Sequence, residues 1–145
     1  MHNKFFSLGE LMFFKSKKTT PQNIFDAVEL QDLDYIASIA KEKNFDIDQH
    51  CTEDKGLLAT ATALGLAAAR GHYDVCVLLI ELGADVNFEG LDGRLTPLDF
   101  AAENGHLPIL VWARENGCKW DRKDCINRAS NYPHIIDWIK SQKVE

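Results

Sequence analysis

The 145 residues contain neither a GxGxxG nor a Walker-type glycine loop, no HExxH pair, no nucleophile elbow and no Cys/His cluster at zinc spacing. Each of those patterns places backbone amides, ligands or a nucleophile where a reaction needs them, so their absence points away from an enzyme and away from a bound cofactor or metal. No window approaches 18 uninterrupted apolar residues, and nothing in the chain therefore reads as a membrane-spanning helix. The four cysteines, Cys51, Cys76, Cys118 and Cys125, show no CxxC pairing and predict free thiols in a reducing, cytoplasmic compartment. Basic residues are also too few for a phosphate-reading stripe. With 16 Lys and Arg against 22 Asp and Glu the net charge is −6, and no nucleic-acid partner is expected.

What is present is an internal repeat. The segment TALGLAAARGHYDVCVLLIELGADVN, from Thr62, returns 34 residues later as TPLDFAAENGHLPILVWARENGCKWD, from Thr96. Thr62 answers Thr96, Leu64 answers Leu98, Ala67-Ala68 answers Ala101-Ala102, Gly71-His72 answers Gly105-His106, and Gly83 answers Gly117. A period of that length holding two short helical patterns belongs to a solenoid, in which each unit buries its apolar stripe only against its neighbours. Thr96-Pro97 is an N-cap followed by proline at the first helical turn, where the missing N–H removes nothing. That helix runs to about Asn104 and closes at Gly105. A second helix follows, with Val75, Cys76, Leu78 and Leu79, or Ile109, Leu110 and Trp112, at helical spacing until Gly83 or Gly117. Gly90-Leu91-Asp92-Gly93 is turn chemistry.

These residues resemble the ankyrin repeat, with its D-G-x-T-P-L-H-x-A-A-x-x-G-H turn and first helix, V-x-L-L-L second helix and G-A-D-V-N exit. The likeness is close from Leu57 to Asp121. The resemblance implies an all-α solenoid of stacked helix-turn-helix units with hairpin-like turns. Two departures stand out: the family histidine is Gly65 in one copy and Asp99 in the other, and Leu95 reads as one extra hairpin residue.

Around the two copies, a single domain over 19–145 divides into repeats at about 20–54, 55–90, 91–123 and 124–145, two central units and two caps. Thr20-Pro21 predicts the first helix start, with Ile24, Phe25, Ala27 and Val28 as its apolar face. Leu33, Tyr35, Ile36, Ile39 and Ala40 supply the second helix, and NFDID from Asn44 is a degenerate exit. The connection from Gln49 to Ala61 is several residues longer than a usual hairpin, which makes it either functional or slack. In the last unit Cys125, Ala129, Ile135, Ile136, Trp138 and Ile139 keep the buried spacing.

Residues 1–18 stand outside the repeat. Phe5, Phe6, Leu8, Leu11, Met12, Phe13 and Phe14 precede Lys15, Lys17 and Lys18, and the segment carries +3. Gly9 and Glu10 interrupt the apolar run and no small-residue cleavage site follows, which argues against a secretory signal. The segment is either a cap on the open first repeat or an interfacial anchor.

Single residues that suggest chemistry have plainer readings. His72 and His106 occupy one repeat position and would sit about 10 Å apart in stacked layers, too far for one ion. Asp99 has no visible base and reads as a substitute for the lost histidine. Trp112 and Trp138 read as core, and Trp120 as packing between repeats. The resemblance implies that a protein partner docks on the concave face, which maps onto Arg70, Leu91, Asp92, Arg94, Glu103, Asn104 and Asn116, with Ala69 beside them. The acidic middle of the chain, −5 over 19–50, −4 over 51–90 and −2 over 91–121, suits a partner with a basic surface. A monomer is expected, acting either as a stoichiometric inhibitor or neutraliser of an enzyme or toxin, or as a scaffold or host-directed adaptor.

Overall fold

The computed structural model describes residues 20–52, 61–89 and 95–144. Eight helices lie within them, in four antiparallel pairs: α1 (Ile24–Leu30) with α2 (Leu33–Ile39), α3 (Ala63–Arg70) with α4 (Tyr73–Glu81), α5 (Pro97–Glu103) with α6 (Leu107–Glu115), and α7 (Arg122–Arg128) with α8 (Pro133–Ser141). The first helices stack in the order α1, α3, α5, α7, and the second helices stack more loosely behind them. This is the all-α solenoid of helix-turn-helix units that the repeat predicts.

Side-chain caps set the start of every first helix. Thr62 Oγ1 accepts from the Gly65 N–H at 3.1 Å, and Asp121 Oδ1 accepts from the Asp124 N–H at 3.0 Å. Thr96 and Asp99 cap each other, with Asp99 Oδ2 accepting from the Thr96 N–H at 2.9 Å. The first repeat corrects the sequence reading. Its helix begins after Asn23, whose Oδ1 accepts from the Asp26 N–H at 2.9 Å, and not at Thr20-Pro21. Asn23 is the residue with the extended backbone and the acceptor three positions before the amide it satisfies, so it displaces the Thr-Pro pair as the helix start.

The turns that close the central first helices need glycine for two reasons. Gly71 and Gly105 have φ of 76° and 81°, and the next residue's N–H bonds back to Ala67 O at 3.0 Å and Ala101 O at 2.9 Å. A Cβ on Gly71 would also lie 2.6 Å from the His106 ring, and one on Gly105 would lie 2.5 Å from the Tyr132 ring. Each closing glycine is therefore a seat for a ring from the next layer.

The core follows the stack. From Ala63 through Ala69 every residue of α3 is buried, because α1 and α5 cover it from both sides. The small Ala67, Ala68, Ala101 and Ala102, all 0% exposed, let the backbones approach. Phe100 fills the space at Gly65, where a Cβ would stand 3.1 Å from its ring. The larger Phe100 thus occupies room that the family histidine would take in the layer before. In the last repeat Cys125, Ala129, Ile135 and Ile139 are fully buried, while Ile136 and Trp138 are half-buried against the core. Leu33 departs from the expected buried stripe and stands 39% exposed at the edge of α2.

The exits of successive layers are bonded in series. Asp48 accepts from the Asp85 N–H at 3.0 Å, and Asn87 Oδ1 accepts from the Lys119 N–H at 2.7 Å while its Nδ2 donates to Gly117 O at 3.3 Å. The long connection is closed at its base by an antiparallel bridge between His50 and Thr62 and by Cys51 N–H to Ala61 O at 2.9 Å. The remainder of that connection, the hairpin tip at 90–94 and the aromatic segment 1–18 lie outside the described residues, so the cap and anchor readings of 1–18 do as well.

All four cysteines are free and buried. Burial pushes the Cys76 thiol up to about 12 and raises Cys118 and Cys125 above the ordinary thiol range, which makes them packing residues and not nucleophiles.

Candidate interaction surface

Because α3 and α5 are buried almost to their ends, their exposed side chains emerge only at the last turn: Arg70 from α3, and Glu103 and Asn104 from α5. Arg70 is not alone there. Its Nε and Nη2 donate to the Glu29 carboxylate at 3.0 to 3.1 Å, a fork-on-carboxylate pair that joins the first and second layers. Glu103 is similarly engaged from the following layer. Arg128 Nη1 lies 3.6 Å from Glu103, with Arg128 Nε 2.8 Å from Asp124 and 3.9 Å from Asp99. Both pairs are solvent-facing and contribute only about 0–1 kcal/mol each to stability, so a partner can replace them at little cost.

The asparagines do local work. Asn104 Nδ2 donates to Phe100 O at 2.8 Å and Asn116 Nδ2 donates to Trp112 O at 2.8 Å, each a second donor to a carbonyl that already accepts the same residue's backbone N–H at the helix C-terminus. They do not share one patch, for Asn104 closes α5 and Asn116 closes the antiparallel α6. About 13 Å of helix separates the two ends. Ala69 is buried, and Leu91, Asp92 and Arg94 lie outside the described residues. The structure thus groups Arg70, Glu103 and Asn104 along the ends of the first helices and sets Asn116 apart. Glu29 and Arg128, the ionic partners of two members, were not legible as site residues, since each lies 25 or more positions from its mate.

The residues that hinted at chemistry have structural duties. His106 Nε2 is 2.9 Å from Ala69 O, tying the third layer to the second through the ring that covers Gly71. His72 makes no such bond among the described residues; burial, with Arg70 and His106 nearby, pushes it below the ordinary histidine range against the pull of Glu29. Asp99, 7% exposed, is shared between the Thr96 cap and the Cys125 S–H, whose sulfur lies 3.6 Å from Oδ1. Trp120 is half-buried between repeats, with the Arg114 guanidinium 4.6 Å from its ring centre and the Trp138 ring at 5.9 Å. Among the described residues, no group of three His, Cys, Asp or Glu is placed to hold a metal ion, and no helix is long and apolar enough to cross a membrane.

A family model for ankyrin repeats, in three copies, matches residues 24–124. Protein phosphatase 1 regulatory subunit 12A of Mus musculus is 37% identical over 70 residues, which is 48% of this chain and 6% of that protein. The probable E3 ubiquitin-protein ligase XBOS33 of Oryza sativa subsp. japonica is 38% identical over 64 residues, 44% of this chain and 12% of its own length. Alpha-latrotoxin-Lh1a of Latrodectus hasselti is 39% identical over 72 residues, 50% of this chain and 5% of that toxin. The chain spans 12% or less of the length of these relatives, so the likeness carries the repeat and not their activities.

Proposed function

Since the chain belongs to the ankyrin repeat family, whose repeats generally mediate protein–protein interaction, we propose that it is a non-catalytic protein that binds a basic protein surface through its hairpin tips and first-helix ends. The observation that carries the reading is the contrast along α3. Every residue from Ala63 to Ala69 is committed to the core, and Arg70, the first residue free of packing, is exposed and held by an exchangeable ion pair. Glu103 repeats that arrangement one layer on. A partner's lysine or arginine can take over Glu29 or Glu103, and its carboxylate can take over Arg70, without disturbing a buried contact.

The role that fits best is a stoichiometric inhibitor or neutraliser of an enzyme or toxin, acting as a monomer in the cytoplasm. The similarity to a phosphatase regulatory subunit agrees with an enzyme-directed role, and the four buried free thiols agree with a reducing compartment. The adaptor alternative draws on the aromatic and basic residues 1–18, which would supply a second contact. The test is cross-linking capture with the full chain, compared with an Arg70→Glu/Glu103→Lys double variant. The reading expects one captured partner, lost or at least tenfold weakened in the variant, whose enzymatic or toxic activity titrates to zero at one equivalent. Equal capture by both chains would overturn the site; capture of two proteins at once with activity untouched would favour the adaptor.

A further inference from the structure

The looser stacking of the second helices leaves a groove between α2 and α4, on the side of the solenoid away from the first helices. Half-buried Ala37, Val77 and Leu78 line it, and Leu33 and Tyr73 stand at its edges, 39% and 41% exposed. Tyr73 is held in place by an edge-on contact with Trp112 of the next layer, at 6.1 Å between ring centres. The groove therefore offers a fixed aromatic shoulder and not a side chain that must be ordered on binding.

Charge decides what fits. Asp34 on α2 and Asp74 and Glu81 on α4 line the same groove, no lysine or arginine lines it, and none of the three carboxylates has an ion pair or hydrogen-bonded side-chain partner among the described residues. Two exposed carboxylates elsewhere, Glu29 and Glu103, face arginines, Arg70 and Arg128, that a basic partner must displace, whereas the three in the groove face none. An apolar strip between two acidic walls, bounded by two helices that run the same way, is the complement of a helix with an apolar stripe flanked by cations. The nine residues of α4 provide about 13 Å of wall, enough for between two and three turns of a docked helix.

We propose that the α2/α4 groove receives a short amphipathic helix of a protein partner, with Leu- or Phe-like residues at i, i+3, i+4 and i+7 and Lys or Arg on both flanks. The docked helix covers Val77 and Leu78, packs against Tyr73, and places its cations beside Asp34, Asp74 and Glu81. This surface is separate from the first-helix ends, so the two are engaged independently.

The experiment uses the full chain and two synthetic helical peptides of about four turns, one with leucine on the stripe and lysine elsewhere, the other with glutamate replacing lysine. The lysine peptide should bind saturably at one site, and the glutamate peptide about tenfold more weakly or not at all. Asp74→Lys with Glu81→Lys should weaken the lysine peptide about tenfold, Val77→Glu should remove binding, and Asp137→Lys, on the exposed face of the last layer, should leave it unchanged, with circular-dichroism melts confirming that each variant is folded. Equal binding of the two peptides, or undiminished binding by the Asp74→Lys/Glu81→Lys chain, overturns the proposal. So does tighter peptide binding when Lys15, Lys17 and Lys18 are changed to glutamate, since the chain's own basic segment would then be the occupant. A dimer in sedimentation that Val77→Glu dissociates would make a second copy the occupant and overturn it equally.

Discussion

The junction between the first and second layers and the junction between the second and third are built from the same repeat positions, yet they are bonded differently. At the second junction His106 sits on Gly71 and reaches Ala69 O, and Asn87 both accepts from Lys119 and donates to Gly117 O. At the first junction Gln31 takes the left-handed position with φ of 53°, His72 makes no equivalent bond among the described residues, and Asp48 accepts from Asp85 but has no proton to give Gly83 O. The first junction adds the Arg70–Glu29 pair, but on an exposed surface where such pairs contribute little. In a solenoid whose stability is a sum of neighbour terms, this difference makes the first junction the weaker of the two.

The largest expected effect breaks the stronger junction. Gly71→Val places a β-branched residue at positive φ and drives its side chain into the His106 ring, and should lose more than about 2 kcal/mol in thermal or denaturant unfolding. Gly105→Val should behave alike against Tyr132. If either melts as the parent does, the layer register is wrong.

Next in size is His106→Ala, which removes a cross-layer hydrogen bond and the ring above Gly71. A loss of about 1–2 kcal/mol is expected, against less than about 0.5 for His72→Ala. Equal losses would erase the difference between the junctions.

The local half of this comparison was legible in the sequence and the cross-layer half was not. Thr62, Thr96, Pro97 and the closing glycines announce caps and turns because each acts within a few residues of itself. The exchange of size between Gly65 and Phe100, the seat of His106 on Gly71, and the reach of Arg128 to Glu103 join residues 25 to 35 positions apart, and no periodicity reports them. Thr20-Pro21 misled because a Thr-Pro pair also fits an approach to a helix, and Asn23 three residues on had the better geometry. Leu33 misled because an apolar residue at the first turn of α2 obeys helical spacing but falls at the edge of the stack. For the interaction surface, exposure of Arg70, Glu103 and Asn104 was readable, whereas their prior engagement with Glu29, Arg128 and Phe100 was not.

Repairing the weaker junction sharpens the comparison. Gln31→Gly should stabilise by about 0.5–1 kcal/mol by releasing a side-chain-bearing residue from positive φ. Asp48→Asn restores the donor that Asn87 has and should add about 0.5–1 kcal/mol near neutral pH.

The smallest effect is in the pH dependence of that site. Burial, with Asp85 and Asp46 close by, holds Asp48 above the ordinary aspartate value despite the Asp85 N–H bond and His50. Between the ordinary and the raised value the folded state binds more protons than the unfolded one, so the contribution of Asp48 to stability falls as pH rises through that window. Asp48→Asn should flatten the fall in unfolding curves taken across mildly acidic pH, and an equally steep fall in the variant would contradict its assignment to Asp48.

Native-state hydrogen exchange, followed residue by residue in the full chain, measures the difference between the two junctions most directly. If the second and third layers form the better-bonded pair, amides of α3 to α6 should exchange only through the opening of highest free energy, with α1 and α2 opening separately at least about 1 kcal/mol below them. Protection of α1 and α2 equal to or above that of α3 to α6 would contradict the ordering of the two junctions.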